Sequence, residues 1–183
     1  MTQLKRPDGG VELQTIYELG RQETLSEVRD LLRGLRREVF ATPMKTVPGV
    51  VAAVAYASGD AVGTKFSFDV PKKGFIHGIV VADLDKEQLE FDIILFEQDF
   101  AGGADNVAFD MADADGALLV GVVTVTAADF KAMSDNAMAE AQNIGKAYTA
   151  PEGKLYCQVV TRGAPNFALA TDLAFRLYII PSG

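Results

Sequence analysis

The sequence predicts a mostly β protein: an antiparallel β-sandwich or jelly-roll-like domain over 47–183, preceded by a short N-terminal coiled-coil helix. Three observations carry this. Eight or so short segments of strand character follow one another with turn residues between them; no long helical period interrupts them; and the hydrophobic period changes from heptad to strand-like around Pro43 and Pro48.

The helix comes first in the chain. Leu25, Val28, Leu32, Leu35 and Val39 recur at spacings of 3, 4, 3 and 4, the a/d seam of a coiled coil. Thr24 is the expected N-cap, Glu27 its capping-box partner, and Pro43 lies just past the end, so the helix is expected over 25–41. A helix this short is marginal in water, and Gly34 destabilises it by a further ~1 kcal/mol. It therefore needs a partner surface. Either copies of itself supply one, with Leu31 widening the seam toward three strands, or its own β domain does. Arg29 and Arg36 find no matching acids across the seam, so charge pairing does not specify the assembly.

The strands follow in order. VVAAVAY (50–56) is a continuous apolar run suited to a strand buried on both faces. Phe66, Phe68 and Val70 alternate with Lys65, Ser67 and Asp69, which predicts a half-buried strand. Further strands are expected in 75–84, 89–96, 107–111, 118–126, 154–162 and 172–180. Residues 127–148 read two ways: a short helix begun by Ser134 or Asp135, or a strand in which Ala137, Ala139 and Ala141 alternate.

Composition narrows the function classes. The 183 residues suit one core with a short extra segment. The opening MTQLKRPDGG lacks the apolar stretch of a secretory signal, and no run of 18 apolar residues occurs, so neither export nor membrane spanning is expected. The net charge of −8 argues against nucleic acid or an anionic membrane as partner. The acidity is uneven: residues 1–46 carry 8 Lys/Arg against 7 Asp/Glu, whereas 47–183 carry 9 against 18, which suggests two regions with different surfaces.

Local chemistry is sparse. In YASGDAVGTKFSF (56–68), Gly59 and Gly63 enclose three residues where a phosphate loop needs four. Thr64-Lys65 stand in the wrong order and a strand follows, so the segment reads as a strand-to-strand corner. Asp105, Asp110, Asp113 and Asp115 fall in DNVAFDMADADG, but the calcium-loop register set by Gly116 places Met111 and Val122 at ligand positions, leaving a solvated acidic loop. His77 is the only histidine and Cys157 the only cysteine; the first reads as structural and the second as core, in phase with Leu155 and Val159. No pair among the 25 acids stands out for glycoside chemistry. Tyr56, Tyr148, Tyr156 and Tyr178 are the weak candidates for a sugar-binding face. No catalytic residue, metal or cofactor is expected.

The stretches 55-AYASGDAVGTKFSF-68, 74-GFIHGIVVADL-84, 91-FDIILFEQDF-100 with Asp105-Asn106, and 155-LYCQVVTRGAPNFALATDLAFRLYII-180 together resemble the small β-domain proteins encoded among the virion genes of tailed bacteriophages, the capsid decoration and head-fibre proteins. The resemblance implies a non-enzymatic jelly-roll-like module, commonly trimeric, assembled in the host cytoplasm and displayed on the capsid exterior. It further implies attachment to the major capsid protein through an N-terminal segment. In this chain that role falls to the arm 1–24, with Leu4, Val11, Leu13, Ile16 and Tyr17 as candidate anchor residues, while Leu25, Val28, Leu32, Leu35 and Val39 would hold the homotrimer. The alternative is a carbohydrate- or host-surface-binding adhesin whose partner is a host-surface glycan.

Overall fold

The computed structural model describes Leu25 and residues 38–182. Chain contacts divide the protein at Arg37 and Glu38, and the unit from Glu38 onward forms two antiparallel β-sheets around one core. Its ten strands are β1 (Phe40–Ala41), β2 (Lys45–Thr46), β3 (Ala61–Asp69), β4 (Lys73–Asp83), β5 (Phe91–Phe96), β6 (Leu119–Val125), β7 (Lys131–Ala132), β8 (Ala137–Thr149), β9 (Lys154–Thr161) and β10 (Leu173–Pro181). One sheet runs β1-β10-β4-β8-β7, with β2 also on β10; the other runs β3-β9-β5-β6.

Alternation builds the core, as the period-2 geometry of a strand requires. Ile76, Ile79 and Val81 of β4 and Phe175, Leu177 and Ile179 of β10 face inward from the larger sheet. They meet Phe66 and Phe68 of β3, Ile93 and Leu95 of β5, and Leu155, Cys157 and Val159 of β9. Each large side chain buried here contributes roughly 1.5–3 kcal/mol. The inward phase of β4 changes at a bulge: its register on both β10 and β8 skips between Ile76 and Gly78, leaving His77 half-buried and unpaired in the ladder.

Six of the expected strands are present as β3, β4, β5, β6, β9 and β10. Three expectations are corrected. The helix expected over 25–41 does not reach its end: Leu25 is helical, but Val39 is not, and Phe40–Ala41 are strand β1, paired with Ile179 and Tyr178. Just beyond, the Thr42 N–H donates to the Leu177 carbonyl, and the Thr42 hydroxyl accepts from the Leu177 N–H, each at 3.0 Å. Ladder bonds that begin at Phe40 therefore win over the heptad register, and the β domain starts before residue 47. The run 50–56 is not a strand. Its backbone donates to separate loop carbonyls, Ala53 to Phe167 and Tyr56 to Pro165, and Ala53 takes φ +55°, so only Val50 and Tyr56 are buried. Residues 107–111 are likewise no strand beyond one bridge from Ala108 to Asp60, because Asn106 at φ +55° turns the chain first. The ambiguous stretch resolves as strand: Ala137 and Ala139 point into the core from β8.

The two sheets differ on their outer sides. Residues 97–118, which join β5 to β6, fold back over the smaller sheet and form a second apolar cluster with Ile94, Phe96, Phe100 and Val160 at its centre. Phe96 and Phe100 stack at 3.9 Å between ring centroids. On the larger sheet the outer positions of β10, β4 and β8 include Phe75, Val80, Met138, Tyr178 and Ile180, all at least partly exposed.

Candidate functional site

The segment 58–63, expected to be a strand-to-strand corner, follows the non-strand run 50–56 and is the entry to β3 alone. Asp60 turns the chain by accepting the Ala57 N–H at 2.7 Å, and Gly63 continues into β3 at φ +64°. A Cβ on Gly63 would collide with the Pro48 carbonyl and Val47, so both the dihedral and the space demand glycine. Its N–H is bound by Asp105, whose carboxylate also takes the Tyr56 hydroxyl at 2.7 Å and the Val51 N–H at 3.1 Å. Burial, and then the Asp105 carboxylate beside it, push the Tyr56 phenol far above its ordinary range. Asp105 is thus a clamp that ties its own loop to the 50–56 run and to β3, not part of a solvated acidic loop as its sequence suggested. Nothing local could reveal this, since its partners lie 42 to 54 residues away in the chain.

The remaining acids of that segment behave differently. Asp110 and Asp113 are exposed, and Asp115, in a 3-10 turn at Asp113–Leu118, accepts the Ala101 N–H. Among the described residues no three His, Cys, Asp or Glu side chains converge as metal ligands would. Two buried carboxylates hold loops in the same way as the half-buried Asp105: Asp83 accepts the Gln88 N–H at 2.7 Å, and Asp172 accepts the Leu169 N–H at 2.7 Å. Asp92 is bound by Arg162 and the Thr124 hydroxyl, each at 2.6 Å, on the outer side of the smaller sheet.

The single thiol and the four tyrosines settle into the fold. Cys157 is wholly buried between Phe66 and Leu95 in the ladder, and burial pushes its thiol well above the usual range, away from thiolate chemistry. The tyrosines do not share a face. Tyr56 and Tyr148 are buried, Tyr148 donating to the Pro71 carbonyl at 2.9 Å. Tyr156 lies on the smaller sheet with its hydroxyl on Glu152, and Tyr178 lies on the larger one. The aromatic platform sketched by sequence is therefore absent among the described residues.

What sequence reasoning missed is the outer face of the larger sheet. Across its middle row Arg176 of β10, Val80 of β4 and Glu140 of β8 stand side by side in register. The Arg176 Nε is buried and has no hydrogen-bond partner among the described residues. Beside this row opens a shallow groove of about 480 Å³ whose lining includes Val80, Lys131, Met133, Met138 and Glu140. Half-apolar alternation on both sides of β4 was the available signal, and it is weak in a strand whose phase shifts at a bulge. Of the expected oligomerisation residues, Leu25 and Val39 are exposed, at 54% and 51%. Val28, Leu32 and Leu35, like the anchor candidates Leu4, Val11, Leu13, Ile16 and Tyr17, lie outside the described residues.

No protein-family model matches the chain, and no curated protein or solved structure matches it either.

Proposed function

We propose that this chain is a non-enzymatic structural protein of a tailed-bacteriophage virion, a capsid decoration or head-fibre module displayed on the capsid exterior as a homotrimer. Its β domain is read as a jelly roll. The observation that carries the reading is the order of strand pairing. With β1 and β2 counted as one lane on β10 interrupted at Pro43, and the two-residue β7 left aside, eight lanes remain. The first pairs with the eighth, the second with the seventh, the third with the sixth and the fourth with the fifth. A long hairpin rolled upon itself has this nesting, and β10 with β4 and β5 with β9 supply the cross-pairs of the roll. Viral capsid proteins are one recurrent user of that architecture, as are lectins.

Two further features support the display role. The buried carboxylates Asp60, Asp83 and Asp172 and the half-buried Asp105 bind backbone N–H groups within the fold, which is structural work. The heptad Leu25, Val28, Leu32, Leu35 and Val39, shortened at its last position by β1, suits a threefold stalk, and the arm 1–24 suits attachment to a major capsid protein. Three arms on one stalk would raise the local concentration of weak capsid contacts and turn them into long-lived attachment. The deciding experiment is the solution mass of the full chain by light scattering, followed by co-sedimentation with capsids that lack it. Three copies per particle and binding lost on deleting residues 1–24 are expected. A chain that stays monomeric at micromolar concentration, or that ignores capsids with its arm intact, would overturn the proposal.

A further inference from the structure

We infer that the outer face of the six-stranded sheet is a second self-association surface, on which two copies of this chain pair face to face. The inference goes beyond the display role and does not depend on it. Three full-length lanes of this sheet, β10, β4 and β8, span about 14 Å at the usual strand spacing, and the eleven residues of β4 run about 36 Å. The resulting plane of about 500 Å² gives roughly 1,000 Å² over two partners, the size of a weak, concentration-dependent complex. The connection from β6 to β8 walls it on the β8 side, where Ala128, Asp129 and Met133 line the groove together with Val80 and Glu140.

The residues on the face complement themselves. A two-fold axis running along β4, between two such faces, exchanges the β10 lane of one copy with the β8 lane of the other and lays Val80 over Val80. Arg176 of each copy then lies opposite Glu140 of its mate, so that two guanidinium–carboxylate pairs form about the axis. The neighbouring rows match in size as well. Tyr178 falls opposite Gln142, a phenol facing an amide, while Ala174 falls opposite Met138 and Ile180 opposite Ala147, small against large in each case. A two-fold axis running across the strands would instead lay Arg176 over Arg176 and Glu140 over Glu140, so the charges select the axis along β4. In a chain of net charge −8, the central row of this face, one Arg, one Val and one Glu, carries no net charge.

The test keeps the full chain and measures mass against concentration by light scattering. Arg176→Glu alone and Glu140→Arg alone each place like charges across the pair and are expected to weaken the face contact about tenfold or more. The double variant Arg176→Glu/Glu140→Arg restores it. Val28→Ser/Leu32→Ser, which breaks only the heptad seam, leaves particles of two copies, whereas Arg176→Glu leaves whatever assembly the seam makes. Urea midpoints measured at high dilution, unchanged by the single reversals, show that folding is intact. The inference is overturned if the seam variant is monomeric up to its solubility limit, if neither reversal changes the mass profile, or if the double variant fails to recover it. A pair that survives in the seam variant while the parent shows no multiple of three would sink the trimer and leave this face standing.

Discussion

The outer sides of the two sheets are made of similar residues and treated in opposite ways. On the smaller sheet, Ile94 and Phe96 point outward and are covered by residues 97–118, so that Phe96 is fully buried under Phe100. On the larger sheet, Phe75 and Val80 also point outward, yet Phe75 remains 38% exposed and only short elements flank it. Outward apolar residues therefore do not by themselves mark an interface. Where the chain returns over them they stabilise the monomer, and where it does not they are left for a partner. The difference is in the connections: the β5–β6 connection is long enough to cross a sheet, whereas the connection from β8 to β9 is a tight turn closed by the Gly153 N–H on the Ala150 carbonyl.

The sharpest way to break that comparison is to strip the covered side. Phe96→Ala removes a wholly buried ring and its stacking on Phe100 and is expected to lower stability by about 3–5 kcal/mol, read from urea denaturation. A loss under about 1 kcal/mol would mean that 97–118 is a passive flap, since small losses belong to surface positions. Next in size is the clamp that fixes one end of the cover. Asp105→Ala leaves the Tyr56 hydroxyl and the Gly63 and Val51 N–H groups without their acceptor and is expected to lower stability by about 3 kcal/mol. Tyr56→Phe removes one of those bonds at about 1 kcal/mol, and a double-mutant cycle should show the two losses to be non-additive.

How much of this was legible in the sequence follows from the range of the interactions. Strands with two-residue alternation, such as Phe66–Val70 and Leu155–Val159, declare their face locally and were read correctly. The run 50–56 misled because an apolar run without alternation records hydrophobicity but not where its N–H groups go, and they go to Phe167, Pro165 and Asp105. The heptad misled at its end for the same reason: Val39 keeps the period, while Phe40 and Thr42 are already captured by β10. The Asp105 clamp and the Arg176–Val80–Glu140 row exist only after strands far apart in the chain are placed side by side, so no local pattern could have named them.

A smaller effect tests the clamp from the solvent side. The Tyr56 phenol is raised by burial and by Asp105, and burial holds Tyr148 up at about 12, both from an ordinary 10.0. Groups whose folded value is raised contribute stability that is fully present below the unfolded value and lost as pH rises past it, because the unfolded chain ionises first. Stability should therefore be flat through neutral pH, begin to fall above pH 9.0, where the Cys157 thiol of the unfolded chain ionises, and fall more steeply above pH 10.0, the ordinary phenol value. Tyrosinate absorbance from these two rings should appear together with unfolding, and smooth ionisation of every tyrosine near its ordinary value in a folded chain would show that the clamp does not exclude water.

The smallest expected effect belongs to the bare face, and it is the most informative about it. Phe75→Ser removes an aromatic ring from a partly exposed position next to Ile180 and Ala147. In dilute solution, where copies do not meet, the change in unfolding free energy should be within about 0.5 kcal/mol, as for an ordinary surface position. At high concentration the parent gains stability by mass action if its faces pair, and the variant gains less, so the gap between their unfolding midpoints should widen with concentration. A gap already large at the lowest concentration would place Phe75 with Phe96, as a residue its own chain depends on. A gap near zero at every concentration would remove this end of the sheet from the interface and confine any pairing to the row of Arg176, Val80 and Glu140.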